Sequence, residues 1–166
     1  MMDPALIARA VPADLDGLAP LFESYRRFYQ REPEPTRVRA FLADRLRNRD
    51  SIVFLARLAE GDEPVGFTQL YPVFSSISVG RALILNDLFV AERARGHGVG
   101  RALLERAAAF GRETGALYLE LSTGVDNATA QRLYRAAGWR RESGFDHYQL
   151  DLRSPPGRND GEGQAG

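Results

Sequence analysis

The pattern of apolar and polar positions divides the chain into short strands and amphipathic helices. Residues 5–11 form an apolar stretch read as a first strand, closed by Pro12. Leu15, Leu18, Phe22, Tyr25 and Tyr29 then recur at steps of three and four, the spacing of one helix face, with Asp14 in place to cap the start. Pro20 falls inside this run and predicts a kink or two shorter helices, because it lacks an amide donor and crowds the preceding turn. The Glu32-Pro33-Glu34-Pro35 run interrupts the chain, and Thr36 is positioned to cap a second helix with the apolar face Val38, Phe41, Leu42 and Leu46. Residues 51–58 and 64–74 read as an antiparallel pair turned at Gly61-Asp62, with Tyr71 and Phe74 expected in the core and 75–80 as a loop.

The next stretch organises the rest. Residues 83–90 hold six apolar positions around Asn86 and Asp87, which suits a short strand buried on both faces. A glycine-rich turn, Arg95-Gly96-His97-Gly98-Val99-Gly100, leads into a helix whose apolar positions are Val99, Leu103, Ala107 and Phe110. After Gly115, residues 116–123 read as a further strand. Ala130, Leu133, Tyr134 and Ala137 mark a short helix that Gly138 ends as a left-handed cap. Residues 139–141 and 145–152 are expected to close the sheet as a hairpin around Gly144. Residues 154–166 have no apolar periodicity and are read as a disordered tail behind a single domain over 1–153.

Composition narrows the chemistry. The chain has 166 residues, 44% hydrophobic and 27% charged, the balance of an ordinary globular domain. Its 22 basic residues, all arginine, equal its 22 acidic ones, so no overall field draws in nucleic acid. Without lysine there is no Schiff-base chemistry, and without cysteine no disulfide framework, thiolate nucleophile or Cys-ligated zinc. Two histidines 50 positions apart argue against a metal centre. Neither a signal peptide nor an apolar run of ~20 residues is evident, so no membrane partner and a cytoplasmic location are expected. Arginine is locally concentrated: eight between Arg26 and Arg49 against Glu32, Glu34 and Asp44. These read as solvated helix faces paired elsewhere, or as a rim that attracts an anion.

Alternating glycines after a strand and before a helix let successive backbone N–H groups converge where the helix dipole is positive, which suits a phosphate. The G-x-G-x-G spacing is neither a dinucleotide fingerprint nor a P-loop. With the preceding L-N-D-L-F-V, the R-G-H-G-V-G run resembles the acetyl-CoA signature of the GNAT family of N-acetyltransferases. The stretch N-A-T-A-Q-R-L-Y-R-A-A-G-W from Asn127 to Trp139 resembles the second signature of that family. The resemblance implies an α/β (α+β) GNAT fold with about four helices and a mixed seven-stranded sheet splayed between its fourth and fifth strands. It further implies that acetyl-CoA enters that gap as cosubstrate. Its pantetheine arm would pair with the backbone of Leu88, Phe89 and Val90, and its pyrophosphate would rest on Arg95, Gly96, His97, Gly98, Val99, Gly100 and Arg101. Asn127 and Tyr134 complete the cofactor side. Tyr134 matches the general acid of the family, and the acceptor would be the primary amine of a small molecule or peptide. A homodimer is compatible with this picture, though no residue says how it would form.

One position departs from the pattern. Relatives of this type often carry Glu where this chain has Asn86, and Asn cannot take a proton. Asp87 is the nearest carboxylate, and simple strand alternation turns it to the face opposite Asn86. Asn86 is therefore expected to bind the acceptor or a water, with deprotonation through water assisted by Asp87 or by Glu120, itself more readily explained as an arginine's partner. His97 is expected to contribute only its N–H, and His147 to serve structure or surface. The missing Glu also leaves open a CoA-binding sensor without turnover, and beyond it a nucleotide-binding regulatory domain.

Overall fold

A computed structural model describes residues 5–153, so the expected tail at 154–166 lies outside the described residues. One sheet runs in the order β1 (Leu6–Arg9), β2 (Ile52–Arg57), β3 (Gly66–Ser75), β4 (Gly80–Val90) and β5 (Leu119–Glu120). The first four strands are antiparallel neighbours, and β5 is parallel to β4. Helices α1 (Leu15–Phe28) and α2 (Pro35–Asn48) cover one face. Helix α3 (Val99–Glu113) covers the other, with α4 (Ala128–Ala136) beside its start.

The sheet has five strands rather than seven among the described residues. The hairpin expected over 139–152 does not form: residues 140–153 are exposed and without strand, and Tyr148, Leu150 and Leu152 are uncovered. Strand pairing yields nothing until a long enough neighbour is in place, and β5 offers only two paired residues. Asp151 instead bonds locally to Arg153. Phe74 also departs from expectation: it is 84% exposed near the tip of the long β3–β4 hairpin, not core.

Asp14 stands at the N-cap of α1 as expected, though its side chain does not bond to the first turn of that helix. A 3-10 turn at Pro12–Asp14 leads directly into α1, and the Asp14 carboxylate accepts the Val11 N–H at 2.8 Å and an Arg57 N–H at 2.8 Å. Helix α1 continues through Pro20 as one element, because the ring is on the exposed side, where the unpaired Asp16 carbonyl can be hydrated. Helix α2 begins at Pro35, whose fixed φ suits a first helical position, so Thr36 lies inside the first turn.

Two apolar layers sandwich the sheet. Leu18, Phe22, Leu42, Leu55, Phe67 and Phe89 lie on the α1/α2 side; Phe54, Leu70, Leu83, Leu85, Val99 and Leu103 lie on the α3 side. Leu85 and Phe89, an even number of residues apart on β4, thus face opposite layers. The ladder explains this: Leu70 pairs with Leu85 and Gln69 with Asp87, leaving Asn86 as an extra, unpaired residue. Such a bulge resets the alternation and turns two successive side chains to one side. The expectation that Asn86 and Asp87 face apart is therefore corrected. The Asn86 Nδ2 lies 3.2 Å from each Asp87 carboxylate oxygen.

Candidate active site

Strands β4 and β5 pair only at Leu83 with Leu119 and Ile84 with Glu120. Beyond that point β4 keeps β3 on one edge, while no strand among the described residues covers its other edge from Leu85 to Val90. This is the splay expected between the fourth and fifth strands. Part of the edge is used internally: Arg95 Nε donates to the Val90 carbonyl at 3.0 Å, and the guanidinium lies over the rings of Phe28 and Phe89 at 5.7 and 5.9 Å.

At the end of β4 the chain turns through Glu92–Ala94 and the glycine run. Gly96 and Gly98 have φ of 79° and 77°, a region open to glycine at little cost. Gly98 is the N-cap of α3 and offers no side chain to the first turn, so the Val99, Gly100 and Arg101 amides have no intrahelical acceptor. Gly100 serves a different purpose: a Cβ there would lie 3.1 Å from the Leu133 side chain, so its bareness lets α4 approach α3. His97 is exposed, and Arg101 donates to Glu105 at 2.8 Å. Converging free amides at a positive helix end fit a pyrophosphate.

Helix α4 fixes Tyr134 from both ends. Asn127 caps the start, its Oδ1 accepting the Ala130 N–H at 3.1 Å. At the other end the Trp139 N–H reaches the Tyr134 carbonyl and the Gly138 N–H the Arg135 carbonyl, with Gly138 at φ 85°, a Schellman motif. The Trp139 and Tyr134 rings, the apolar contact of that motif, have centroids 6.2 Å apart. Burial, then the nearby Tyr29, raises the Tyr134 phenol above its ordinary pKa, with the Thr123 hydroxyl acting in the other direction.

Asp87 is buried on the α1/α2 side without an ion-pair partner among the described residues. Tyr25 lies against it: burial, then the Asp87 charge and hydrogen bond, push that phenol strongly upward, with smaller contributions from Tyr29 and Tyr134. Tyr71 is pushed up to about 12, first by burial and then by the Asp87 charge, against an opposing Arg45. Asp87 thus neighbours Tyr25 and Tyr71, and Tyr25 in turn neighbours Tyr29 and Tyr134. Sequence patterning missed Tyr25 because it sits on a helical apolar stripe and reads as core. Gln69 carried a signal, a long polar residue within the buried first half of β3, Gly66–Leu70.

Other candidates fall outside. Glu120 is exposed and pairs with no arginine among the described residues, and His147 lies in the exposed C-terminal stretch. Of the eight arginines on α1, α2 and their flanks, Arg26, Arg37, Arg39, Arg45 and Arg47 hold carboxylates. Among the described residues no cluster of His, Asp and Glu could hold a metal, and no helix is long and apolar enough to cross a membrane.

The acetyltransferase (GNAT) family profile matches residues 18–139, from α1 through the open edge, the glycine turn and α4. The chain belongs to the GNAT family. It is 42% identical over 146 residues to YhfO, an uncharacterized N-acetyltransferase of Bacillus subtilis strain 168, covering 88% of this chain and 97% of that one. The crystal structure of a probable acetyltransferase superposes with a TM-score of 0.84 at 43% identity, over 90% of this chain and 99% of that one. An aminoglycoside N(6')-acetyltransferase type 1 from Stenotrophomonas maltophilia is 28% identical over 114 residues, 67% of this chain and 74% of that one. GNAT enzymes are acetyl-CoA-dependent acyltransferases, and this chain is an N-acetyltransferase of that kind.

Proposed function

We propose that the enzyme transfers the acetyl group of acetyl-CoA to the primary amine of a small molecule or peptide, the amine attacking the thioester directly while both substrates are bound. The observation that carries this reading is Asp87, a buried carboxylate without an ion-pair partner among the described residues, set at a bulge beside Asn86 and against Tyr25, which in turn neighbours Tyr29 and Tyr134. An alkyl amine with a pKa of ~10.4 is ~99.9% protonated at neutral pH, a barrier of ~4–5 kcal/mol unless a base relieves it. Asp87 attracts the ammonium and takes its proton, directly or through a water held by Asn86. The bulge, which sets Asp87 beside Asn86, supports this role for the carboxylate and weighs against the reading without turnover.

On the cosubstrate side, the amides of Gly96, His97, Gly98, Val99, Gly100 and Arg101 hold the pyrophosphate. Hydrogen bonds to a charged group contribute about 1.5–3 kcal/mol each, so several supply much of the ~8 kcal/mol of a micromolar affinity. Leu88 and Val90 offer backbone groups along the open edge to the pantetheine arm, while Phe89 turns its own towards β3, and Asn127 sets the start of α4 and hence the height of Tyr134. Tyr134 gives its phenolic proton to the departing thiolate. A phenol is protonated at neutral pH and so has that proton to give as the C–S bond breaks. Since most arginines near the acceptor side are already paired, an anionic acceptor gains little there. The Asp87 cluster favours a cationic one, consistent with the small-molecule amine named for the S. maltophilia relative.

The test is release of free thiol from acetyl-CoA in the presence of alkylamines, polyamines, amino acids and aminoglycosides, with mass analysis of the amine and of the protein. Amine-dependent thiol release with acetyl found only on the amine is expected. Tight acetyl-CoA binding without thiol release for any amine would favour the sensor reading instead.

A further inference from the structure

Four polar side chains are buried among the described residues, Ser51, Thr68, Gln69 and Asp87, and the other three link to Asp87 directly or through Gln69. Gln69, its cross-strand partner on β3, donates from Nε2 to Asp87 Oδ2 at 3.0 Å. Ser51 Oγ, at the entry to β2, donates to Gln69 Oε1 at 3.0 Å. Thr68 Oγ1 holds the Asp87 backbone carbonyl at 2.9 Å beside the bulge. The chemistry fixes the direction of this chain. An ionised carboxylate only accepts, so the Gln69 amide must turn Nε2 towards it, and Oε1 then faces Ser51, whose hydroxyl must donate.

Gln69 has no solvent-exposed surface and lies between Asp87 and Ser51, with the Tyr71 phenol also against its side chain. A network of this depth, if merely structural, is more costly than an apolar packing of the same volume. We propose that Gln69, oriented by Ser51, is a positioning residue for acetyl transfer: it ties down one oxygen of Asp87 and holds the carboxylate aimed at the acceptor amine. This rests on the reading of Asp87 as the group that serves that amine. A misplacement of about 1 Å at a reacting group costs on the order of a hundredfold in rate, which is the scale such a tether controls.

The experiment compares Ser51→Ala, Ser51→Thr, Gln69→Leu and Asp87→Asn with the parent enzyme, using the best amine of the panel. The expected result for Gln69→Leu is a loss of kcat/KM for the amine of on the order of 10–100-fold, with an acetyl-CoA KM within about twofold of the parent. Ser51→Ala should lower kcat/KM for the amine by less, again with the acetyl-CoA KM unchanged, and Ser51→Thr should restore it. If Gln69→Leu fails to fold, Ser51→Ala and its rescue decide. Parent-like rates in folded Gln69→Leu and Ser51→Ala, with Asp87→Asn inactive, would overturn the positioning role alone. Full activity in Asp87→Asn, or no acetylation of any amine, would overturn the reading beneath it as well.

Discussion

Asn86 and Asp87 share one side of β4, with the Asn86 amide nitrogen 3.2 Å from both oxygens of the neighbouring carboxylate. This pairing makes Asp87→Asn the most informative single change. General-base assistance contributes typically 10²–10⁴-fold, so kcat should fall by about that factor while acetyl-CoA affinity is unchanged. Stability should move the other way: an unpaired buried carboxylate costs free energy that a neutral amide of the same shape does not, so Tm should hold or rise. Steady-state kinetics and a thermal melt on one preparation check both. A melt that falls together with activity would mean that Asp87 is structural.

Tyr134→Phe keeps the ring, its packing on Trp139 and the helix end, and removes only the hydroxyl. A group that acts as acid on the departing thiolate acts in the transition state, so kcat and kcat/KM for acetyl-CoA should fall together by about 10–100-fold with KM nearly constant. A large rise in the acetyl-CoA KM with kcat preserved would make Tyr134 a binding residue.

Much of the molecule was legible beforehand, because the glycine run, the strand before it and the Asn127–Trp139 stretch are local devices whose spacing states their geometry. The helices on Leu18, Phe22, Val38 and Leu42 were legible for the same reason. What escaped was non-local. The bulge at Asn86 depends on how β4 registers against β3, and no pattern within 83–90 announces an extra residue. Tyr25 looked like core because a helical stripe does not say that a carboxylate on another element waits beneath it. Phe74 and the alternate row Tyr148, Leu150 and Leu152 have strand-like character but no neighbour to cover them. Their apolar nature alone could not show that.

Gly98 and Gly100 are bare for different reasons, and substitutions should separate them. Gly98→Val puts a β-branched residue at φ 77°, where a side chain costs roughly 1–2 kcal/mol or more, and it distorts amides read as the pyrophosphate cradle. No atom lies near its Cβ position, so the fold should survive while calorimetric acetyl-CoA binding is lost. Gly100→Val keeps helical geometry but drives a side chain into Leu133, displacing α4 and with it Tyr134. It should lower Tm and kcat, with a smaller effect on acetyl-CoA binding than Gly98→Val.

The tyrosines around Asp87 also predict how the fold responds to alkali. Burial raises the folded-state pKa of Tyr25 and Tyr134, and that of Tyr71 to about 12, above an ordinary value of ~10. A group with its folded pKa raised binds its proton more tightly in the native state. Its stabilisation is therefore complete below pH ~10 and is lost as pH climbs through the window from ~10 to ~12 for Tyr71, and further for Tyr25. With no lysine in the chain and arginine charged throughout, the side chains that titrate in this window are essentially phenols. Tm should hold steady to about pH 9.5 and then drop steeply, and Tyr25→Phe and Tyr71→Phe should each flatten that drop while leaving Tm near neutrality little changed. An alkaline decline just as steep in Tyr25→Phe would show that its phenol is not held against the Asp87 charge.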